Sequence, residues 1–182
     1  YNQRVKNMAD EKNINDEAIA GAAATDGQEA PQAGVVAQYI KDLSFENPNA
    51  PASLQHLAGA QPAIDVNVNV GVRKMNDEMY EVELKIIATA KDGEDQVAFV
   101  TELAYGTLFG IRGVEEEALR PFLLIQAPLL MFPYARRIIS DASRDGGFPP
   151  LMLEPINFEA LYHQQHQDAE GQAAEANGEE PA

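Results

Sequence analysis

The chain has 182 residues, with 13 Lys+Arg against 29 Asp+Glu, a formal net charge of -16, three His, and neither Cys nor Trp. That length suits one domain with tails. The lack of Cys excludes a disulfide framework, a thiol nucleophile and a Cys-ligated zinc site. The acidic balance argues against nucleic acid and anionic membrane surfaces as partners, because both repel such a chain.

The charge divides as -3 over residues 1–33, -8 over 34–162 and -5 over 163–182. These bounds define an N-terminal extension, one domain, and a helix end followed by an acidic tail. The extension ends in Ala20-Gly21-Ala22-Ala23-Ala24-Thr25-Asp26-Gly27. It has too little apolar surface to offset its ordering entropy and is expected to be disordered. It has no continuous apolar stretch of the secretory kind. Met8-Ala9-Asp10 reads as a natural start, which would make residues 1–7 an addition.

Val35 to Phe45 is expected to form a first, less regular strand, ended by Asn47-Pro48-Asn49-Ala50-Pro51. A long Pro-containing connection runs to Pro62 and is able to cross the sheet. Ile64, Val66, Val68, Val70 and Val72 alternate with Asp65, Asn67, Asn69 and Gly71, a half-buried strand pattern. Asn76 and Asp77 mark a turn. Tyr80, Val82, Leu84 and Ile86 form the next strand. Lys91-Asp92-Gly93-Glu94 carries Asp-Gly hairpin chemistry with Gly expected at positive φ. A fourth strand runs from Gln96 to about Phe109. Glu115, Glu116 and Glu117 suit a helix N-terminus, and Gly146-Gly147 its end. Pro121, Pro128 and Pro133 are expected to break or kink that helix. Asn157 caps a short final helix with Phe158, Leu161 and Tyr162 on one face.

Phe122 to Phe132 is an apolar run of eleven residues, shorter than the roughly 20 that a membrane span needs. Its apolarity all round exceeds what one sheet face can cover. Burial against another subunit is expected, with Leu123, Leu124, Leu130 and Phe132 in the interface.

Catalytic constellations are poor. His163 and His166, with Asp168 near, have a spacing able to hold a metal, but a solvated helix end explains them more simply. His56 stands alone in a loop. Gly106-Thr107-Leu108-Phe109-Gly110 lacks the Lys-Ser/Thr of a phosphate loop and reads as a strand end bending at glycines. Arg136-Arg137 is interior and balances a helix C-terminus. No catalytic residue, metal or cofactor is expected.

Three stretches carry a family resemblance. They are Lys41-Asp42-Leu43-Ser44-Phe45-Glu46-Asn47-Pro48-Asn49-Ala50-Pro51, Phe132-Pro133-Tyr134-Ala135-Arg136, and the run Phe148-Pro149-Pro150-Leu151-Met152-Leu153-Glu154-Pro155-Ile156-Asn157-Phe158-Glu159-Ala160-Leu161. In this order and around these strands, the region from about Val36 to Tyr162 resembles the bacterial export chaperones of the SecB family. The resemblance implies an α+β fold: a four-stranded antiparallel sheet with a long crossover, a Pro-interrupted long helix and a short C-terminal helix, assembled as a dimer of dimers. It implies a cytoplasmic, ATP-independent holdase and no enzyme. Such a protein binds unfolded secretory precursors in apolar grooves and passes them to the SecA motor, without inserting into the membrane.

Leu54 and Leu57 of the crossover and Phe158, Leu161 and Tyr162 of the last helix are the groove candidates. The alternative for each is an ordinary core position. Family members often carry an aromatic in the crossover, where this chain has Leu57 and Ala58. The family's acidic contact for the basic, zinc-bearing SecA tail falls on Asp42, Glu46, Val100 and Glu102, with Val100 in place of an expected Leu. Asp42 and Glu46 are four apart on a strand and share a face. The competing expectations are a SecB-like chaperone dedicated to an antitoxin, a small enzyme or binding protein, and a purely structural oligomer.

Overall fold

The computed structural model describes residues 32–56, 62–93 and 95–164. Four strands form one antiparallel sheet: β1 (Gln32–Glu46), β2 (Ala63–Lys74), β3 (Met79–Lys91) and β4 (Val97–Arg112). Their order across the sheet is β1-β4-β3-β2. Two hairpins join β2, β3 and β4. β1 and β2 occupy opposite edges, so the connection between them crosses the sheet, as the sequence suggests. A short helix, α1 (Ala52–His56), lies in that connection. The expected disordered extension, 1–33, lies outside the described residues except for Gln32 and Ala33. Those two already belong to β1, paired with Arg112 and Ile111.

The alternation read from the sequence sets the two faces. Val82, Leu84 and Ile86 of β3 lie opposite Thr107, Tyr105 and Leu103 of β4, and all six are buried. β2 brings Val72, Val70 and Val68 opposite the same three β3 residues. This inner face is covered by a helical run, and burial of these side chains is the main term holding the two layers together.

That run begins with α2 (Glu116–Pro121), with Glu116 and Glu117 in its first turn. It continues through a π-helical turn at Phe122–Gln126 into α3 (Ala127–Asp145). The prolines therefore break the helix less than the sequence leads one to expect. In the π turn the Ala127 N–H donates to the Phe122 carbonyl. This wider turn makes room for Pro128, whose ring in a tight α-turn would press on the carbonyl four residues back. Pro133 stays inside α3, on its exposed side. As one helix, Glu116–Asp145 is long and apolar enough by length and composition to cross a membrane. One side of it, including Leu123, Ala127, Met131, Ala135 and Ile139, is buried in the core shared with β3 and β4.

The end of α3 is a Schellman motif. Phe148 N–H donates to the Ser143 carbonyl at 3.1 Å, Gly147 N–H donates to Arg144 at 3.0 Å, and Gly147 has φ +90°. Phe148 is thereby delivered to a second cluster, where its ring lies 4.8 Å from Phe99 and 6.1 Å from Phe45. Among the described residues of the β3–β4 turn, positive φ falls on Asp95 (φ 63°) and not on Gly93. Backbone bonds close this turn, Asp92 N–H donating to the Gln96 carbonyl at 2.9 Å and Asp95 N–H to the Asp92 carbonyl at 3.1 Å, and the Asp92 carboxylate adds a bond by accepting from Gln96 N–H at 3.0 Å. The last helix, residues 158–164, is capped as expected: Asn157 Oδ1 accepts from Ala160 N–H at 3.0 Å.

Candidate functional site

The face of the sheet away from α3 is open, and it carries the first candidate site. On β1, Asp42, Ser44 and Glu46 lie opposite Ala104, Glu102 and Val100 of β4. The register thus gathers Asp42, Glu46, Val100 and Glu102 into one patch at one end of the two strands. Asp42 and Glu46 are exposed, and among the described residues neither has an ion-pair partner. Glu102 has a loose one, Lys85, at 3.9 Å. Such a row attracts cations, and its single apolar member, Val100, sits between the acids.

Beside this row lies a network that the sequence did not reveal. Tyr39 OH donates to Glu81 Oε1 at 2.5 Å, and Arg73 donates to Glu81 Oε2 at 2.8 Å. Lys41 pairs with Glu81 at 3.3 Å and with Glu83. Side chains of β1, β3 and β2 are joined here across β4. Gly106 of β4 makes this geometry available: a Cβ there would sit 2.7 Å from the Tyr39 ring. Glu81 is buried. The hydrogen bond from Tyr39 is the main cause holding its carboxyl below the usual range, against the opposing effect of burial. The same bond raises the Tyr39 hydroxyl, and Glu83 is the main cause raising Lys41.

The second candidate lies on the inner side, along the edge strand β2. A groove of about 860 Å³ is lined by Ile64, Val66 and Val68, by the 151–156 segment, and by Leu161 and Gln164. Its walls come from the alternating valines of β2 and from Leu151, Leu153 and Ile156. Pro149, Pro150 and Pro155 hold the 151–156 segment out of helix.

Of the expected groove residues that are described, Leu161 alone lines this cavity. Phe158 is a core residue, 1% exposed, with its ring edge-on to Phe132 at 6.0 Å. Tyr162 is half-buried and packs on His163. Leu54 is exposed in α1, close to Gly147 at the end of α3. Leu57 lies outside the described residues. The β2 valines were missed as groove residues because alternation tells which face is apolar and not whether a neighbour covers it. Among the expected interface residues, Leu123 and Phe132 are buried in the chain's own core and Leu124 packs against it, while Leu130 is 53% exposed. No group of three or more His, Asp or Glu able to hold a metal occurs among the described residues. His166 and Asp168 lie outside them.

Residues 26–169 match the family model described as preprotein translocase subunit SecB. The chain belongs to the SecB family. Relatives bearing the name protein-export protein SecB include that of Rhizorhabdus wittichii, 51% identical over 91% of this chain and 97% of the relative. The SecB of Parvibaculum lavamentivorans is 50% identical over 93% of this chain and 98% of its own length. Among solved structures, the SecB-like chaperone of Mycobacterium tuberculosis, in complex with a peptide from the HigA1 antitoxin, superposes with a TM-score of 0.58. It covers 68% of this chain and 90% of that one at 16% identity, so it speaks to the SecB fold alone.

Proposed function

We propose that this chain is a cytoplasmic, ATP-independent holdase of protein export. It binds unfolded precursor proteins, opposes their folding by mass action, and hands them to SecA. The groove along β2 carries this reading. The groove is open, with apolar side chains (Ile64, Val66, Val68, Leu151, Leu153 and Ile156) standing among polar ones (Asn67, Asn69 and Glu154), and the outer side of edge strand β2 pairs with no other strand among the described residues. An extended, unfolded segment fits both features, since it can add to the strand edge while alternate side chains enter the groove. Such contacts select for apolar, extended chain and little else, as a protein with many clients requires. The work needs no catalytic group, metal or nucleotide.

The acidic row is the proposed contact for the basic tail of SecA. With unpaired Asp42 and Glu46, its attraction is available to a partner. Asp42→Ala with Glu46→Ala is expected to weaken SecA binding at low salt by about tenfold or more, and to leave client capture unchanged. Unchanged SecA affinity would remove the assignment. The antitoxin-dedicated alternative is disfavoured by about 50% identity to export-named relatives, against 16% to the antitoxin-bound chaperone.

The assembly proposed is a dimer of dimers. β1 is a 15-residue edge strand bearing exposed Val35, Val36, Ile40 and Leu43, and such an edge invites pairing with a second copy. The outward side of α3 bears Leu129, Leu130 and Tyr134, each about half exposed, and supplies the second interface. Four chains at -16 each carry -64, a field that steers a basic partner inward.

A further inference from the structure

The acidic row contains an apparent flaw, and resolving it gives a role to residues outside it; this inference rests on the docking of a basic segment proposed above. β1 is bulged between Ile40 and Asp42: Ile40 lies opposite Tyr105 and Asp42 opposite Ala104, with Lys41 as the extra residue. In a regular strand Lys41 would project to the face opposite Asp42. The bulge instead places both on the open face, where Lys41 reaches Glu81 and Glu83. A lysine next to Asp42 could neutralise the carboxylate that a basic partner needs.

The ammonium is turned away. Its chain crosses β4 at Gly106, where a Cβ would sit 3.2 Å from Lys41 Cδ, and it ends between Glu83 and Glu81 on β3. The other cation of this cluster, Arg73, is held by Glu81 at 2.8 Å. Two acids therefore engage two cations, and Asp42 is left without a partner among the described residues. We propose that Glu83, with Glu81 behind it, is a positioning residue: it sequesters Lys41 so that Asp42 remains available to the basic partner. Glu83 thus favours docking through the position of a neighbouring cation and not only through its own charge.

A double-mutant cycle on the full-length oligomer separates these effects, with purified SecA as the probe at low and at high salt. Glu83 is the position to change, because its side chain is 33% exposed whereas that of Glu81 is 5% exposed and holds three partners. Glu83→Gln is expected to weaken SecA binding about three-fold at low salt, the scale of a partly exposed ion pair. Lys41→Met is expected to abolish that sensitivity, so that Lys41→Met with Glu83→Gln binds as Lys41→Met alone. Glu83→Asp, which keeps the charge, is expected to retain the wild-type affinity. An equal loss from Glu83→Gln with and without Lys41 would overturn the proposal, since Glu83 would then act by its own charge. No loss from Glu83→Gln, with Asp42→Ala/Glu46→Ala still impairing binding, would overturn it equally. If Asp42→Ala/Glu46→Ala had no effect, the docking reading itself would fail. Unchanged oligomer mass and client capture in every variant show that the fold is intact.

Discussion

Gly106→Ala provides a sharp test of the cross-strand network, because ordinary strand preferences and the structure give opposite signs. A Gly to Ala change inside a strand normally stabilises, by about 0.5–1 kcal/mol, through reduced backbone freedom in the unfolded chain. Here the new Cβ would lie 2.7 Å from Tyr39 Cε2 and 3.0 Å from Cζ, so the ring must move. Moving it breaks the 2.5 Å hydrogen bond to Glu81, which is buried. A hydrogen bond to a charged group contributes about 1.5–3 kcal/mol. Two cations remain on Glu81, which softens the loss, and the net expectation is destabilisation by about 1–2 kcal/mol. Urea unfolding at fixed protomer concentration measures it, because oligomerisation shifts apparent stability. In a Tyr39→Phe background the hydrogen bond is already gone, and the cost of Gly106→Ala is expected to fall by about half or more. A stabilising Gly106→Ala, or an equal cost in both backgrounds, would show that the glycine does not make room for the Tyr39–Glu81 bond.

The same network sets an acid limb. Glu81 is held below the usual carboxyl range, chiefly by Tyr39, so its contribution is present above the unfolded value of about 4.3 and is lost as pH falls through the folded value. Tyr39→Phe is expected to flatten the stability decline below about pH 4.3; an unchanged slope there would count against that linkage. Leu130→Glu with Tyr134→Glu, on the outward side of α3, is expected to reduce the proposed tetramer to dimers, as read by light scattering. A persistent tetramer would move the second interface elsewhere. Phe158→Ala is expected to cost about 3–5 kcal/mol in urea unfolding, because this side chain is 1% exposed and edge-on to Phe132. A loss of client capture with intact stability would instead return Phe158 to the groove.

The parts of the fold legible in the sequence are those with a short repeat. Ile64 to Val72 and Tyr80 to Ile86 show strict alternation, and both lie within the strands found. The length of the Asn47–Pro62 connection allowed a crossover, and β1 and β2 do lie at opposite edges of the sheet, but the pairing of β1 with β4 was not legible. Local signals misled where geometry is shared among residues. Asp-Gly chemistry pointed to Gly93, but Asp95 takes the left-handed position, and Asp92 is bonded to Gln96 through both its backbone N–H and its carboxylate. Three prolines suggested a broken or kinked helix, and the helix is interrupted by a π turn ahead of Pro128, while Pro133 sits on an exposed side without breaking it. At the acidic row, strand parity alone predicts that Asp42 and Glu46 share a face. Register then brings Val100 and Glu102 to them. The Tyr39–Glu81–Arg73 network could not be read, since its members come from three strands and meet over a glycine. Gly106, inside an otherwise continuous strand, was the available signal of a close crossing.

If the β2 groove holds unfolded clients, the refolding rate of a denatured secretory precursor reports it. With the wild-type protein in excess, refolding is expected to slow at least tenfold, with one client eluting on the oligomer in size exclusion. Val66→Asp, at a half-exposed groove position 39% accessible, is expected to restore most of the free refolding rate without altering oligomer mass. Full retardation of refolding by Val66→Asp would contradict the groove assignment, and refolding unaffected by the wild-type protein would contradict the holdase function itself.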